Sequence, residues 1–265
     1  MKRNSPLIRL RQMPVHYGGL VLVASLLCLV FSGSLSLAQK SIPEQVEWSW
    51  YARPAHPDSK LPNVLLLGDS ISRNYQPRVA EQLAGIANVY LFASSASIPD
   101  PRLVAQIAEF ERLERVHFAV VHFNNGMHGW DYKESDYEKG FPLFIHAMKK
   151  SFGSRVALIW ASTTPVKKDQ DGGASNARIT ARNSIAQHVL HGMPIAVDDQ
   201  YTLMLQHGDL YADSVHFNSA GSQLQGDQAV HYIRAALAGD HSSGANRRDG
   251  QPAAQPAADP EKEAK

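Results

Sequence analysis

The 265-residue chain is 44% hydrophobic and 19% charged, enough apolar material for one full-sized core and too short for many domains. Lysine and arginine total 26 against 25 acidic residues, and with no arginine-rich stripe the chain is not expected to bind nucleic acid. Its single cysteine, Cys28, excludes a disulfide framework, a four-cysteine zinc site and a redox thiol pair.

At the N-terminus, Lys2, Arg3, Arg9 and Arg11 precede the apolar run Leu20 to Phe31, and small residues end in Ser36-Leu37-Ala38 before Gln39. This is the three-part layout of a secretory signal peptide with a small-x-small cleavage site. Residues 1–38 are therefore expected to direct export from a bacterial cytoplasm to the periplasm or beyond. About 12 apolar residues fall short of the ~20 that a spanning helix needs, so cleavage, with no stable membrane insertion afterwards, is favoured over retention as an anchor. Leu27 stands where lipid attachment to Cys28 would call for a small residue. All four charges in 1–38 are basic, so the remaining chain is mildly acidic and free of cysteine. From Asp240 onward the composition turns to Gly, Ala, Gln, Pro and charge without apolar periodicity. Residues 240–265 are thus expected to form a disordered tail. A lead-in at 39–60 and one domain at 61–239 remain.

Asn63 to Leu67, bounded by Pro62 and Gly68, is a short apolar run of the kind buried on both faces of a sheet. Similar runs recur at Asn88 to Ala93, Phe118 to Phe123, Val156 to Ala161 and Ile195 to Val197. Between them lie helical patterns at Arg73 to Leu83, Pro101 to Leu113, Tyr137 to Phe152 and Asn176 to His191, with a last one at Ser219 to Leu237. In Pro101 to Leu113 the residues Leu103, Val104, Ile107, Ala108, Phe110 and Leu113 make one broad apolar stripe. Alternation of strands and helices predicts an α/β fold with a five-stranded parallel sheet covered on both faces. Ligands of such sheets bind beyond the carboxyl ends of the strands, which directs attention to the residues following each run.

Ser70 lies where the first strand gives way to a helix, a position that presents its hydroxyl at the sheet edge beside backbone N–H groups and the helix N-terminal field. An Asp-Ser pair there is equally suited to capping the helix. Asp213 and His216, three residues apart in one loop, supply a carboxylate that can hold one ring nitrogen while the other faces a hydroxyl. Either alone reads as a turn or capping residue; the set with Ser70 is far more specific. Asn124 closes the third strand and can aim its amide at a developing oxyanion, though Asn124-Asn125-Gly126 also reads as a turn. Asn125, His128 and Trp130 are candidate substrate contacts. His122 and Trp160 are weaker candidates for the pocket, with core packing the alternative for Trp160.

Gly68-Asp69-Ser70-Ile71, Asn124 after the third strand, and Asp213-Ser214-Val215-His216-Phe217, in that order, resemble blocks I, III and V of the SGNH, or GDSL, hydrolases. The resemblance spans Asn63 to Leu237. It implies a three-layer α/β/α sandwich of flavodoxin-like kind and ester hydrolysis through an acyl-serine, with no metal and no cofactor. Carried over by position, Ser70 is the nucleophile, His216 the base, Asp213 its orienting acid and Asn124 an oxyanion donor, joined by the Ser70 amide. The block II glycine of the family has no counterpart in Phe92 to Pro99, so a backbone amide at Ser94 or Ser95 is expected to stand in. Block III departs as well, reading His122-Phe123-Asn124-Asn125 for Gly-x-Asn-Asp. The expected substrate is a small-molecule or glycan ester, such as an O-acylated carbohydrate; subunit number is left open. One rival reading is a non-catalytic glycan-binding module on the same fold. Another is a metallophosphoesterase drawing ligands from Asp69, His122, Asn125, His128 and His216, which lacks an Asp-x-His at the end of the first strand.

Overall fold

A computed structural model describes residues 39–239; the segments read as signal peptide and tail lie outside the described residues. The elements run β1 (Ser49–Ala52), β2 (Asn63–Gly68), α1 (Ser70–Gln82), β3 (Asn88–Ser94), α2 (Pro101–Glu114), β4 (Phe118–Phe123), α3 (Glu134–Phe152), β5 (Ala157–Ala161), α4 (Asn176–Leu190), β6 (Ala196–Asp198), α5 (Gln200–Leu205) and α6 (Ser219–Leu237). The strands form one sheet in the order β1-β3-β2-β4-β5-β6.

All five expected strands are present and parallel. A sixth, β1, adds to the β3 edge in antiparallel sense, pairing Ser49 with Ser94 and Ala52 with Leu91. The sheet is therefore six-stranded, not five-stranded, and the extra strand comes from the lead-in. Four residues with two exposed positions give no alternation long enough to show in the sequence. A short edge strand also limits the unpaired backbone that a sheet offers to other chains.

Successive residues of β2 divide the core. Leu65 and Leu67 join Phe92, Phe110, Phe123, Phe141 and Trp160 on the face covered by α2, α3 and α4. Val64 and Leu66 join Tyr75, Val79, Leu91, Ile159 and Ile233 on the face covered by α1 and α6. Burial of one such leucine contributes about 1.5–3 kcal/mol. Helix ends are defined locally. The Asp100 side chain accepts from the Arg102 N–H at the start of α2, with Pro101 in its first turn, and Arg115 closes that helix in the left-handed region. Asn218 accepts from the Gly221 N–H at the start of α6. No helix among the described residues is long and apolar enough to cross a membrane.

Candidate active site

The turn from β2 into α1 leaves no room for a side chain at position 68. A Cβ on Gly68 would stand 2.1 Å from Ser72 Oγ and 2.8 Å from Ser72 Cβ, so the strand can run directly into the helix only with glycine there. Asp69 caps α1, its Oδ1 accepting from the Ile71 N–H at 2.9 Å. That bond starts the helix at Ser70, three residues earlier than the apolar pattern indicates, and places Ser70 on its first turn.

The loop before α6 carries the other two groups. Asp213 Oδ1 accepts from the backbone N–H groups of Val215 and His216, both at 2.7 Å, folding the loop around the carboxylate. Its other oxygen lies 2.8 Å from His216 Nδ1, and His216 Nε2 lies 2.7 Å from Ser70 Oγ. The loop is closed by an antiparallel bridge between Tyr211 and Phe217, whose rings stack at 4.3 Å. Partial burial pushes the Asp213 carboxyl up, but the His216 and Val215 amides and the imidazole outweigh it and hold it down at about 2. The structure thus joins Ser70, His216 and Asp213 in one continuous hydrogen-bonded row. An acid held ionised fixes the ring tautomer with its proton on Nδ1 and its lone pair toward the serine.

Asn124 follows β4 on the same side of the sheet. Its Nδ2 donates to the Ala161 carbonyl at 2.6 Å and makes a longer contact, 3.3 Å, with Thr163 Oγ1. One amide hydrogen is therefore firmly committed to the backbone and the second only loosely.

Two expectations need correction. Ser95 cannot lend its amide to an oxyanion, because that N–H donates to the Trp48 carbonyl at 3.0 Å as the lead-in pairs with the end of β3; its hydroxyl is bound to Glu47 and Trp48. The Ser94 hydroxyl donates to Gln106 and accepts from the Ala96 N–H. Asn125 is fully buried rather than facing substrate. Its Oδ1 accepts from the Ile98 N–H and its Nδ2 donates to the Ala96 carbonyl, which clamps the loop after β3 to the end of β4.

His128 and Trp130 do line an open pocket of about 370 Å³ beside Ser70 and His216, with Met127 and Glu44. The Glu44 carboxylate takes His128 Nδ1 at 3.0 Å and the Gly129 N–H at 2.8 Å. Burial opposes the charged forms of this pair, yet the mutual contact lowers the pKa of Glu44 and raises that of His128. Trp130 lies against two guanidinium groups, Arg182 at 4.1 Å and Arg178 at 5.2 Å. Buried Arg182 donates to the carbonyls of Gly126, His128 and Gly129, and burial lowers its pKa to about 10. The loop 126–130 is thereby held from beneath. Trp160 lies in the core, edge-on to Phe141.

Glu44, Arg182 and the pair His122–Asp198 escape a reading of the sequence. The spacing of Arg178 and Arg182, one helical turn apart on α4, is the one local sign that two cations share a face. His122 is fully buried, with Nε2 2.8 Å from Asp198 Oδ2. It does not converge with the other histidines, and no group of three or more metal-binding side chains occurs among the described residues.

No family model matches the sequence, and no curated protein matches it. Solved structures do. An acetyl esterase mutant crystallised with acetate superposes with a TM-score of 0.54 at 18% identity, over 67% of this chain and 99% of the esterase. A carbohydrate esterase family 3 protein from Talaromyces cellulolyticus gives 0.53 at 19%, over 67% and 99%. A GDSL-like lipase from Bacteroides thetaiotaomicron gives 0.53 at 15%, over 69% and 93%. The chain has the fold of the SGNH, or GDSL, hydrolases.

Proposed function

We propose that this protein is an exported serine esterase that cleaves carboxylic esters through an acyl intermediate on Ser70. The observation that carries the reading is the row from Asp213 through His216 to Ser70, with links of 2.8 and 2.7 Å. In this reading Ser70 Oγ attacks the ester carbonyl as His216 Nε2 takes its proton, and Asp213 stabilises the imidazolium that forms. The negative oxygen of the tetrahedral intermediate is met by backbone N–H at the start of α1 and by the loosely held amide hydrogen of Asn124. With the Ile71 N–H committed to Asp69, the backbone donor at this turn is Ser70 itself. Collapse expels the alcohol, which takes the proton from His216. A water activated by the same imidazole then releases the acid and restores Ser70.

The substrate we favour is an O-acylated carbohydrate. The pocket is open and lined by polar groups, among them Glu44, Gln45 and Asp131, together with the apolar Met127, Val215 and the Trp130 ring, a mixed surface suited to a sugar with one apolar face. The acetyl esterase and the carbohydrate esterase among the similar folds are consistent with a small acyl group. Export rests on the layout of residues 1–38.

The test is turnover by the purified chain from Gln39 onward on acetylated sugars and on aryl esters of increasing acyl length, with Ser70→Ala as the blank. Hydrolysis lost in the blank, with a serine-directed phosphonate labelling Ser70 alone, is the expected result. Glycan binding without turnover would replace the reading by that of a binding module. EDTA-sensitive, metal-restorable activity on phosphate esters would end it.

A further inference from the structure

Behind Asn124, on the α1 and α6 side of the sheet, lies a cavity of about 10 Å³. It is lined by Ser72 and Tyr75 of α1, Asn124, Thr164 beyond β5, Gln200 of α5 and Gln225 of α6, all buried. Three buried polar atoms of these lining residues, Thr164 Oγ1, Gln200 Oε1 and Gln225 Nε2, have no hydrogen-bond partner. Buried polar atoms without partners are uncommon, and three of them around one cavity need a common cause.

The Gln200 amide cannot turn over to meet its neighbour. Its Nε2 donates to Asp198 Oδ2 at 2.9 Å and to the Gln225 carbonyl at 3.1 Å, which leaves Oε1 as an acceptor. Asp198 is itself held by His122 at 2.8 Å and by Gln228 at 2.6 Å. The unmatched set is thus one amide donor, one amide acceptor and one hydroxyl that can serve in either sense.

We propose that this cavity is the binding site of a single internal water molecule, which accepts from Gln225 Nε2, donates to Gln200 Oε1 and bonds the Thr164 hydroxyl. The volume matches one water, and such a site needs two to four polar partners, as it has here. A metal or alkali cation suits it poorly, because the Gln225 N–H is a donor and no carboxylate lines the cavity. An empty cavity suits it no better, since dry cavities in proteins are lined by apolar groups. In place, the water extends the buried chain Tyr75, His122, Asp198, Gln200 across to Thr164 and α6, directly behind the asparagine that closes β4. This inference does not depend on the esterase reading, and its test reads no activity.

A crystal structure of the protein at a resolution that shows ordered waters should place one fully occupied water about 2.7–3.2 Å from the three atoms. In Gln225→Met and Thr164→Val, which remove one partner each at similar shape, that density should weaken or vanish while the surrounding side chains stay in place. An empty cavity in the unsubstituted protein, a direct bond between Gln200 and Gln225, or undiminished density in both variants overturns the proposal. If the variants do not fold, the unsubstituted structure alone decides.

Discussion

Ser70 and Asn124 contribute to the proposed reaction in separable ways. Ser70→Ala should leave a folded protein with no esterase turnover, since α1 is capped by Asp69 rather than by Ser70; residual turnover equal to the parent would assign the nucleophile elsewhere. Asn124→Ala should lower kcat by about 10² to 10³ with little change in KM, the cost of one oxyanion donor. Because its amide also binds the Ala161 carbonyl, thermal unfolding must be followed alongside, and a loss confined to KM would point to ground-state binding. Asp213, held at about 2, stays ionised at neutral and mildly acid pH. The sign follows: a carboxyl with a depressed pKa supports the native loop at any pH above its ordinary 3.8 and loses that support only as the pH falls toward about 2. The pH profile of kcat/KM should therefore show no acid limb belonging to Asp213 until the pH falls toward about 2. Asp213→Asn should cost up to about 10⁴ in kcat, and an acid limb traceable to Asp213 at a higher pH in the parent would contradict the arrangement. The positions of Ser70 and Asn124 were legible because one starts a helix and the other follows a strand, where local pattern fixes placement, whereas the pairing of Asp213 with His216 in the loop before α6 was legible from their spacing of three residues. Ser95 and Asn125 misled because their partners, Trp48 and the 96–98 loop, are set by tertiary contacts that no local pattern carries.

Loops and strands around the site depend on contacts distant in sequence. Arg182 serves three carbonyls of the 126–130 loop, so Arg182→Ala leaves those groups unpartnered and opens space beneath Trp130. We expect a loss of about 2–5 kcal/mol, read from urea midpoints, with Trp130 fluorescence changing before global unfolding. The lead-in is tied down by Glu44, His128 and Gly129. With Glu44 lowered from 4.5, its contribution is present above that pH and lost as acid passes its folded value. With His128 raised from 6.5, its contribution is complete below that pH and lost as the pH rises through its folded value. Hydrogen-exchange protection of residues 42–48 should accordingly peak between about pH 4.5 and 6.5 and flatten in Glu44→Gln; an unchanged profile would show that the pair does not hold the segment. The central strands were readable as unbroken apolar runs, whereas β1 was not, because an edge strand of four residues borrows its conformation from β3.

At the scale of the molecule, removal of Asp240 to Lys265 should leave kcat and the melting temperature nearly unchanged, since that composition has too little apolar surface to offset the entropy of ordering it; loss of soluble protein would mean that the domain extends past Gly239. The layered α/β architecture followed from the alternation of strands and helices, but the six-stranded sheet and the short α5 between β6 and α6 did not, being too brief to carry a period. The bond between Ser70 and His216 joins residues 146 apart along the chain, and four of the six strands, β3 to β6, lie between them. In the proposed reaction, a growing polypeptide therefore carries its nucleophile, Ser70, long before its base, His216. On that reading, until the segment around Asp213 and His216 emerges and docks, Ser70 lacks the base that the proposed reaction requires. Two fragments divided in an exposed loop, such as that near Gly172, should each be inert and regain turnover only on mixing.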